Sequence, residues 1–198
     1  VLYLDGLNYT RGVDDFAQGN GSSTRQSIDG EPALGDTSHK VTAGTYSQAG
    51  FSYGRQIDAD TGYLQLDVYR EAGSNGQLVL RHNGYTELTL NASNYGLWTI
   101  EGVDDASGLT SLPTGEWSHI TINLAALIGV DGKLDAVTVK GDGNGNDIYY
   151  FDNIQLTPTE VWTDPVETDP FVEKLWTTTY GVLQSPESAQ YDPDTGYV

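Results

Sequence analysis

Aromatic rings and planar polar groups alternate with aliphatic side chains along several stretches of this sequence. In residues 63–70, aliphatic side chains fall on one face of an extended chain. The other face of that stretch carries Tyr63, Gln65, Asp67 and Tyr69. Rings of this kind stack on the faces of sugars, and flanking amide, guanidinium and carboxylate groups hydrogen-bond to sugar hydroxyls. We therefore expect a carbohydrate-binding surface, with these candidate residues: Tyr63, Tyr69, Arg81, Tyr85, Glu87, Tyr95 and Trp98.

A structural role competes with binding for each of these rings. Tyrosine favours strands and pairs across neighbouring strands for stability alone. Loop aromatics add further candidates at Tyr46, Phe51 and Tyr53. We expect Trp117 to lie in the core and Trp162 to act as a docking anchor.

One glycine-rich segment has the spacing of a calcium loop. Residues 142–147 place Asp142 and Asn144 at alternate positions, as at the start of an EF-hand. The sixth position is Asp147 where glycine is required, and the twelfth is Asn153 where glutamate is usual. Two Gly-Asn pairs are equally typical of a hairpin turn. The pattern favours a turn, with calcium as the alternative.

Charge and residue usage exclude several classes of partner. Nine Lys and Arg residues against 28 Asp and Glu give a net charge of −19. Nucleic acids and anionic membranes both require a basic surface, so neither is expected as a partner. The three histidines lie on separate predicted strands without the spacing of a zinc site or triad, and we expect no enzyme activity in this domain. The chain has no cysteine, so its core must hold the fold without disulfides.

Short alternating stretches separated by Gly, Asp and Asn turns predict an all-β fold. Their spacing of roughly 8 to 12 residues is typical of a two-sheet antiparallel β-sandwich, a jelly roll. We expect this domain to cover residues 1–156. Three prolines in an acidic, Thr-rich segment predict a linker over 157–170, and 171–198 is predicted to be a strand-forming extension or the start of a further domain. Both termini are expected to be cuts through a longer polypeptide.

The last strands of the predicted sandwich carry a family resemblance. Gly115-Glu-Trp-Ser-His-Ile-Thr-Ile-Asn-Leu124, Leu134-Asp-Ala-Val-Thr-Val139 and the ending Asp152-Asn-Ile154 resemble the calcium-containing jelly-roll carbohydrate-binding modules. The resemblance covers residues 1–156. It implies a glycan-binding domain with a structural calcium ion near Asp5 and Asp152. The alternative is that Asp152 caps a turn by hydrogen bonding.

The C-terminal piece resembles something else. Residues 175–198 are similar to the opening of a six-bladed propeller of the gluconolactonase/SMP-30-like type, in which Glu187 matches a metal-binding glutamate. The alternative is a plain turn followed by a strand. If no propeller follows, this piece would be an unpaired strand seeking a sheet edge.

Three hypotheses of function follow. The first is a non-catalytic extracellular or cell-surface module that attaches a larger secreted protein to polysaccharide. The second is a structural subunit of a matrix or filament that assembles through its C-terminal strand with calcium. The third is an accessory domain of a metal-dependent propeller enzyme.

Overall fold

The computed structural model describes residues 3–4, 7–8, 13–24 and 30–160. All of them belong to one compact unit, Val1–Pro165. Asp5, Trp162, Glu187 and nearly all of the predicted linker and extension lie outside the described residues. Within the described ranges, no helix is long and apolar enough to cross a membrane.

Strands make up nearly all of the regular structure. In chain order they are β1 (Tyr3–Leu4), β2 (Leu7–Asn8), β3 (Val13–Gln18), β4 (Ser22–Thr24), β5 (His39–Ala43), β6 (Gln48–Asp58), β7 (Tyr63–Arg70), β8 (Gln77–His82), β9 (Thr86–Thr89), β10 (Trp98–Ile100), β11 (Trp117–Asn123), β12 (Lys133–Lys140) and β13 (Asp147–Thr157). One short helix, α1 (Leu124–Ile128), follows β11. Its first turn is capped by Asn123, whose side-chain oxygen accepts a hydrogen bond from the Ala126 N–H at 3.0 Å.

The strands form two antiparallel sheets. The larger sheet has eight strands in the order β10-β11-β7-β13-β1-β2, with β5 also paired to β13 and β4 to β5. The smaller sheet has five strands in the order β3-β6-β12-β8-β9. The predicted two-sheet antiparallel β-sandwich is therefore confirmed.

The core lies between the two sheets and follows the predicted alternation. Leu64, Leu66 and Val68 of β7 are completely buried. From the other sheet, Leu80 and Val137 meet them in the same cluster. Burying a side chain of this size stabilises the fold by about 1.5–3 kcal/mol, and no disulfide is needed.

One local prediction differs from the structure, and one acidic pair lies within a strand. Asp14 and Asp15 belong to β3, where they pair with Ser52 and Phe51 of β6. The glycine-rich segment 141–146 is not a hairpin, because β12 and β13 belong to different sheets. It instead carries the chain from one layer of the sandwich to the other.

The two tryptophans of the described strands are buried to the opposite degree from that expected. Trp98 was predicted to bind sugar and Trp117 to lie in the core. Trp98 is 1% exposed, its indole N–H donates to Asn94 Oδ1 at 2.9 Å, and its ring meets Tyr95 edge to face with centroids 5.1 Å apart. A ring enclosed in this way cannot stack on a sugar, so Trp98 is a core residue. Trp117 is only half-buried and packs edge to face on Tyr69, at 5.7 Å, outside the core.

Replacing Trp98 tests this placement. Trp98→Ala should lower the free energy of unfolding by about 3–5 kcal/mol, because it empties a large volume inside the core. Leu97→Ala, at the neighbouring position with 41% exposure, should change it by less than about 0.5 kcal/mol. Urea denaturation of both variants measures the difference, and equal stability of the two would contradict the core assignment.

Candidate functional site

The seven predicted carbohydrate-binding residues do not share one surface. Tyr63 and Tyr69 belong to β7 in the eight-stranded sheet, whereas Arg81 belongs to β8 in the five-stranded sheet and faces Glu87 across the β8–β9 pair. Tyr85 lies in the turn between β8 and β9. The outer faces of the two sheets point in opposite directions, so the single surface expected from the sequence is wrong.

Arg81 lies at the centre of the polar face of the five-stranded sheet. Only 8% of the residue is exposed. Its Nη1 donates to Gln18 Oε1 at 2.8 Å and more weakly to Gln48 Oε1 at 3.4 Å. Its guanidinium carbon lies 5.1 Å from the ring centroid of Phe16 and 5.0 Å from that of Tyr85, within the range of cation–π attraction.

Gln48 joins the arginine to an acidic residue. Its Nε2 donates to Glu87 Oε1 at 2.6 Å, while its Oε1 accepts from Thr138 Oγ1 at 3.0 Å. The other oxygen of Glu87 accepts from Lys140 Nζ at 3.2 Å. The amide of Gln48 is thus held in one orientation by a donor on one side and an acceptor on the other.

The strand register brings these side chains to one place. Gln18 of β3 pairs directly with Gln48 of β6, which pairs in turn with Lys140 of β12. Phe16 pairs with Gly50, the one position beside it that carries no side chain. A Cβ on Gly50 would come within 2.1 Å of the Val137 carbonyl oxygen, so only glycine fits there. We call the set the Arg81 face and define it by Phe16, Gln18, Gln48, Arg81, Tyr85 and Glu87.

Sequence reasoning found half of the Arg81 face. Arg81, Tyr85 and Glu87 were among the candidates, whereas Gln48 of β6 and two residues of β3, Phe16 and Gln18, were missed. The strand that carries them, Val13–Gln18, has two adjacent carboxylates and no clean alternation, so its sequence resembles a loop.

The outer face of the eight-stranded sheet is largely closed. Gln65 and Asp67, predicted to point to solvent, are 0% and 9% exposed. His119 joins them, with Nδ1 2.9 Å from Asp67 Oδ1 and Nε2 3.0 Å from Gln65 Oε1. Gln65 Nε2 also donates to Thr157 Oγ1 at 2.7 Å, at the end of β13.

The remaining aromatic candidates are held in protein contacts. Tyr69 meets Tyr150 edge to face with ring centroids 5.9 Å apart, in addition to its contact with Trp117. Tyr63 accepts a hydrogen bond from Asn123 Nδ2 at 3.4 Å. Tyr95 is half-buried, and its hydroxyl donates to the Val103 carbonyl at 2.6 Å.

The described candidates for a calcium site bind the backbone and one another. Both carboxylate oxygens of Asp152 accept backbone N–H groups, one from Leu34 at 3.2 Å and one from Asn153 at 2.8 Å. Asp142 accepts from the backbone N–H of Asn144 at 2.7 Å and from its side-chain amide at 2.8 Å. These contacts lower the pKa of Asp142, since both stabilise its ionised form.

These contacts test the fit of a calcium ion. Calcium needs six to eight oxygen ligands. In the part of the chain that the structure describes, no group of three or more acidic or histidine side chains could hold a metal ion. The calcium ions expected between Asp152 and Asp5 and at Asp142 and Asn144 therefore stay predictions.

Comparison with known proteins found solved structures of low similarity. No family model and no curated protein matches the chain. A solved structure from work on the promiscuous specificity of carbohydrate-binding modules of the β-sandwich superfamily is similar at 17% identity and TM-score 0.47, over 77% of this chain and 60% of that one. SGBP-B, from a xyloglucan utilisation locus of Bacteroides uniformis, is similar at 15% identity and TM-score 0.46, over 79% and 49%.

A third similar structure is matched over nearly its whole length. It is the family 11 carbohydrate-binding module from Clostridium thermocellum, in complex with a β-1,3-1,4-mixed-linked tetrasaccharide. Identity is 14% and the TM-score 0.46, over 78% of this chain and 94% of that chain. By contrast, the chain spans less than two thirds of the length of the first two structures. Likeness at this level says nothing about which residues bind a ligand.

The ionisation of Glu87 reports on the integrity of the Arg81 face. The hydrogen bond from Gln48 lowers the pKa of Glu87 below its ordinary value of 4.5, and Lys140 and Arg81 lower it further. Because the folded-state pKa is lowered, the stabilisation by the ionised carboxylate is present above the ordinary pKa. It is lost as the pH falls through the lowered folded-state value.

Carboxyl carbon NMR measures this titration directly. The Glu87 midpoint should lie below 4.5 in the native chain and move back up in Gln48→Ala, which removes the main hydrogen-bond donor. Gln77→Ala, at an exposed position of β8, is the control and should leave the midpoint unchanged. An ordinary Glu87 midpoint in the native chain would show that the network does not form in solution.

Proposed function

We propose that the sandwich domain binds polysaccharide through the Arg81 face and so attaches a larger secreted protein to an extracellular or cell-surface glycan. The observation that carries this proposal is one connected set of planar polar groups lying beside an exposed aromatic ring. Gln18, Gln48 and Arg81 present amide and guanidinium groups in fixed orientations. A sugar ring carries hydroxyls at fixed angles, which such groups match as donors and acceptors.

Tyr85 supplies the aromatic surface of the proposed site. It is 61% exposed beside the guanidinium of Arg81. Its backbone φ of 80° lies in the left-handed region, which a bulky residue adopts at a cost in free energy. The backbone N–H of Tyr85 donates to Asp135 Oδ2 at 3.0 Å, which holds the turn in this conformation.

The site is suited to binding and not to hydrolysis. A glycosidase needs one carboxyl group that keeps its proton near neutral pH to act as the acid. The environment of Glu87 does the opposite, since Gln48 and Lys140 lower its pKa. Ionised Glu87 can accept hydrogen bonds from sugar hydroxyls, and we propose that the domain is non-catalytic.

The alternatives of a filament subunit and of a propeller enzyme depend on residues 171–198. Those residues lie outside the described part of the chain, and none of the contacts described here favours either function. Both stay predictions from the sequence.

Removing the Tyr85 ring tests the proposed function. Tyr85→Ala should weaken binding to a retained polysaccharide about tenfold, which is about 1.4 kcal/mol of lost stacking. Tyr46→Ala is the matched control, because Tyr46 is 78% exposed and also has a left-handed backbone, with a φ of 52°, but lies in another loop. Affinity electrophoresis through plant and algal polymers measures both variants.

Two outcomes would contradict the proposal. Native protein that is retained by none of the polymers would remove the glycan-binding function. Retention that is weakened equally by Tyr46→Ala and Tyr85→Ala would place the binding surface elsewhere. Melting curves of both variants check that each one remains folded.

A further inference from the structure

We infer that the glycan bound by the Arg81 face carries carboxylate groups, so that the substrate class is a polyuronate. This inference rests on the proposed function and specifies its ligand. It comes from how the guanidinium of Arg81 is partnered and where its unused donors lie.

Arg81 is a buried cation without a carboxylate in contact. The residue is more than nine-tenths buried, yet among the described residues it forms no ion pair within 4.0 Å. Its nearest partners are the neutral amide oxygens of Gln18 and Gln48. Buried charges in proteins are normally paired, since removing a charge from water is costly. The described contacts leave this charge to be balanced by a ligand.

Glu87 is the nearest candidate for an ion pair with Arg81, but both of its carboxylate oxygens bond to other residues. It lies directly across the β8–β9 pair from Arg81. One of its oxygens accepts from Gln48 and the other from Lys140. Lys140 is thus the cation in contact with Glu87. Arg81 lowers the pKa of Glu87 only through the interaction of their charges over a longer distance.

The Nε edge of the guanidinium makes no hydrogen bond to the described residues. Nη1 makes both of the recorded hydrogen bonds, whereas Nε is buried and has no hydrogen-bond partner in the described part of the chain. The N–H groups of Nε and Nη2 point the same way and are spaced to match the two oxygens of one carboxylate. A hydroxyl group offers only one oxygen and would leave one of these two donors without a partner.

The surroundings of that edge strengthen a contact with an anion. The rings of Phe16 and Tyr85 lie about 5 Å from the guanidinium carbon and keep water from part of it. A shielded contact is screened by salt much less than an exposed one. The net charge of −19 repels a polyanion over long distances, but at physiological salt that repulsion decays over a Debye length of about 8 Å.

Reducing the carboxyl groups of the polymer removes its charge but keeps its sugar backbone. Comparing the two forms therefore measures how much the charge contributes to binding. Native protein is titrated with polygalacturonate, alginate and glucuronan, each beside its carboxyl-reduced counterpart, at 0.15 M NaCl. EDTA is present so that calcium cannot bridge protein and polymer. We expect at least one polyuronate to bind ten times or more tightly than its reduced form. Calorimetry measures both affinities.

Two variants then test whether Arg81 causes the preference for the polyuronate over its reduced form. Arg81→Lys keeps the positive charge but loses the two-donor edge, and it should reduce the preference to less than threefold. Arg70→Lys is the matched control, because all three nitrogens of Arg70 already bond to protein oxygens, those of Ser74, Thr110, Leu112 and Asn75. It should leave the preference unchanged.

Each outcome decides a different claim. Equal binding of every polyuronate and its reduced form would overturn the carboxylate inference while leaving glycan binding intact. Binding of none of the six polymers would overturn the proposed function together with the inference. A preference that persists in Arg81→Lys would overturn the role of Arg81. If that variant fails to fold, the comparison with native protein still decides whether a carboxylate is recognised.

Discussion

The guanidinium of Arg81 is largely buried on the outer face of a five-stranded sheet, and the neighbouring side chains make contact with it. Gln18 and Gln48 turn their carbonyl oxygens toward its Nη1. The remaining amide group of Gln48 then points at Glu87, which leaves the second oxygen of Glu87 to Lys140. A chain of donors and acceptors in which each bond fixes the next is rigid, and rigidity lowers the entropy cost of binding.

The sandwich holds this face in place by keeping its apolar side chains between the sheets. Leu80 points into the core while Arg81, next along β8, points out. Phe51 of β6 and Phe151 of β13 meet edge to face in the core, with ring centroids 5.5 Å apart. Because the strand period is two residues, a slip of one position would bury Arg81 in the core and expose Leu80. The hydrophobic pattern therefore fixes the register on which the Arg81 face depends.

Alternation along single strands predicted much of this fold but not the composition of the binding face. It separates inward from outward positions, and Leu64, Leu66 and Val68 are buried as expected. It does not say to which sheet a strand belongs, since that choice depends on contacts between distant residues. Tyr69 and Arg81 were therefore assigned to one surface although they lie on opposite faces of the sandwich.

Irregular local sequences account for the other differences. Trp98 follows a loop and belongs to a three-residue strand, too short to show a period, so its burial was not predictable from alternation. Phe16 and Gln18 were missed because two adjacent aspartates precede them and suggest a loop. In both places pairing with a distant strand decides the position, since Trp98 lies opposite Ile122 of β11 and β3 pairs with β6.

The most direct measurement is an amide NMR titration of the isotope-labelled domain with a soluble fragment of a polysaccharide that it retains. If the Arg81 face binds the glycan, chemical-shift changes will concentrate on β3, β6, β8, β9 and the Tyr85 turn, together with a change at the Nε–H of Arg81. Changes concentrated instead on β7 and β11, around Tyr69 and Trp117, would place the ligand on the opposite sheet and contradict binding at the Arg81 face.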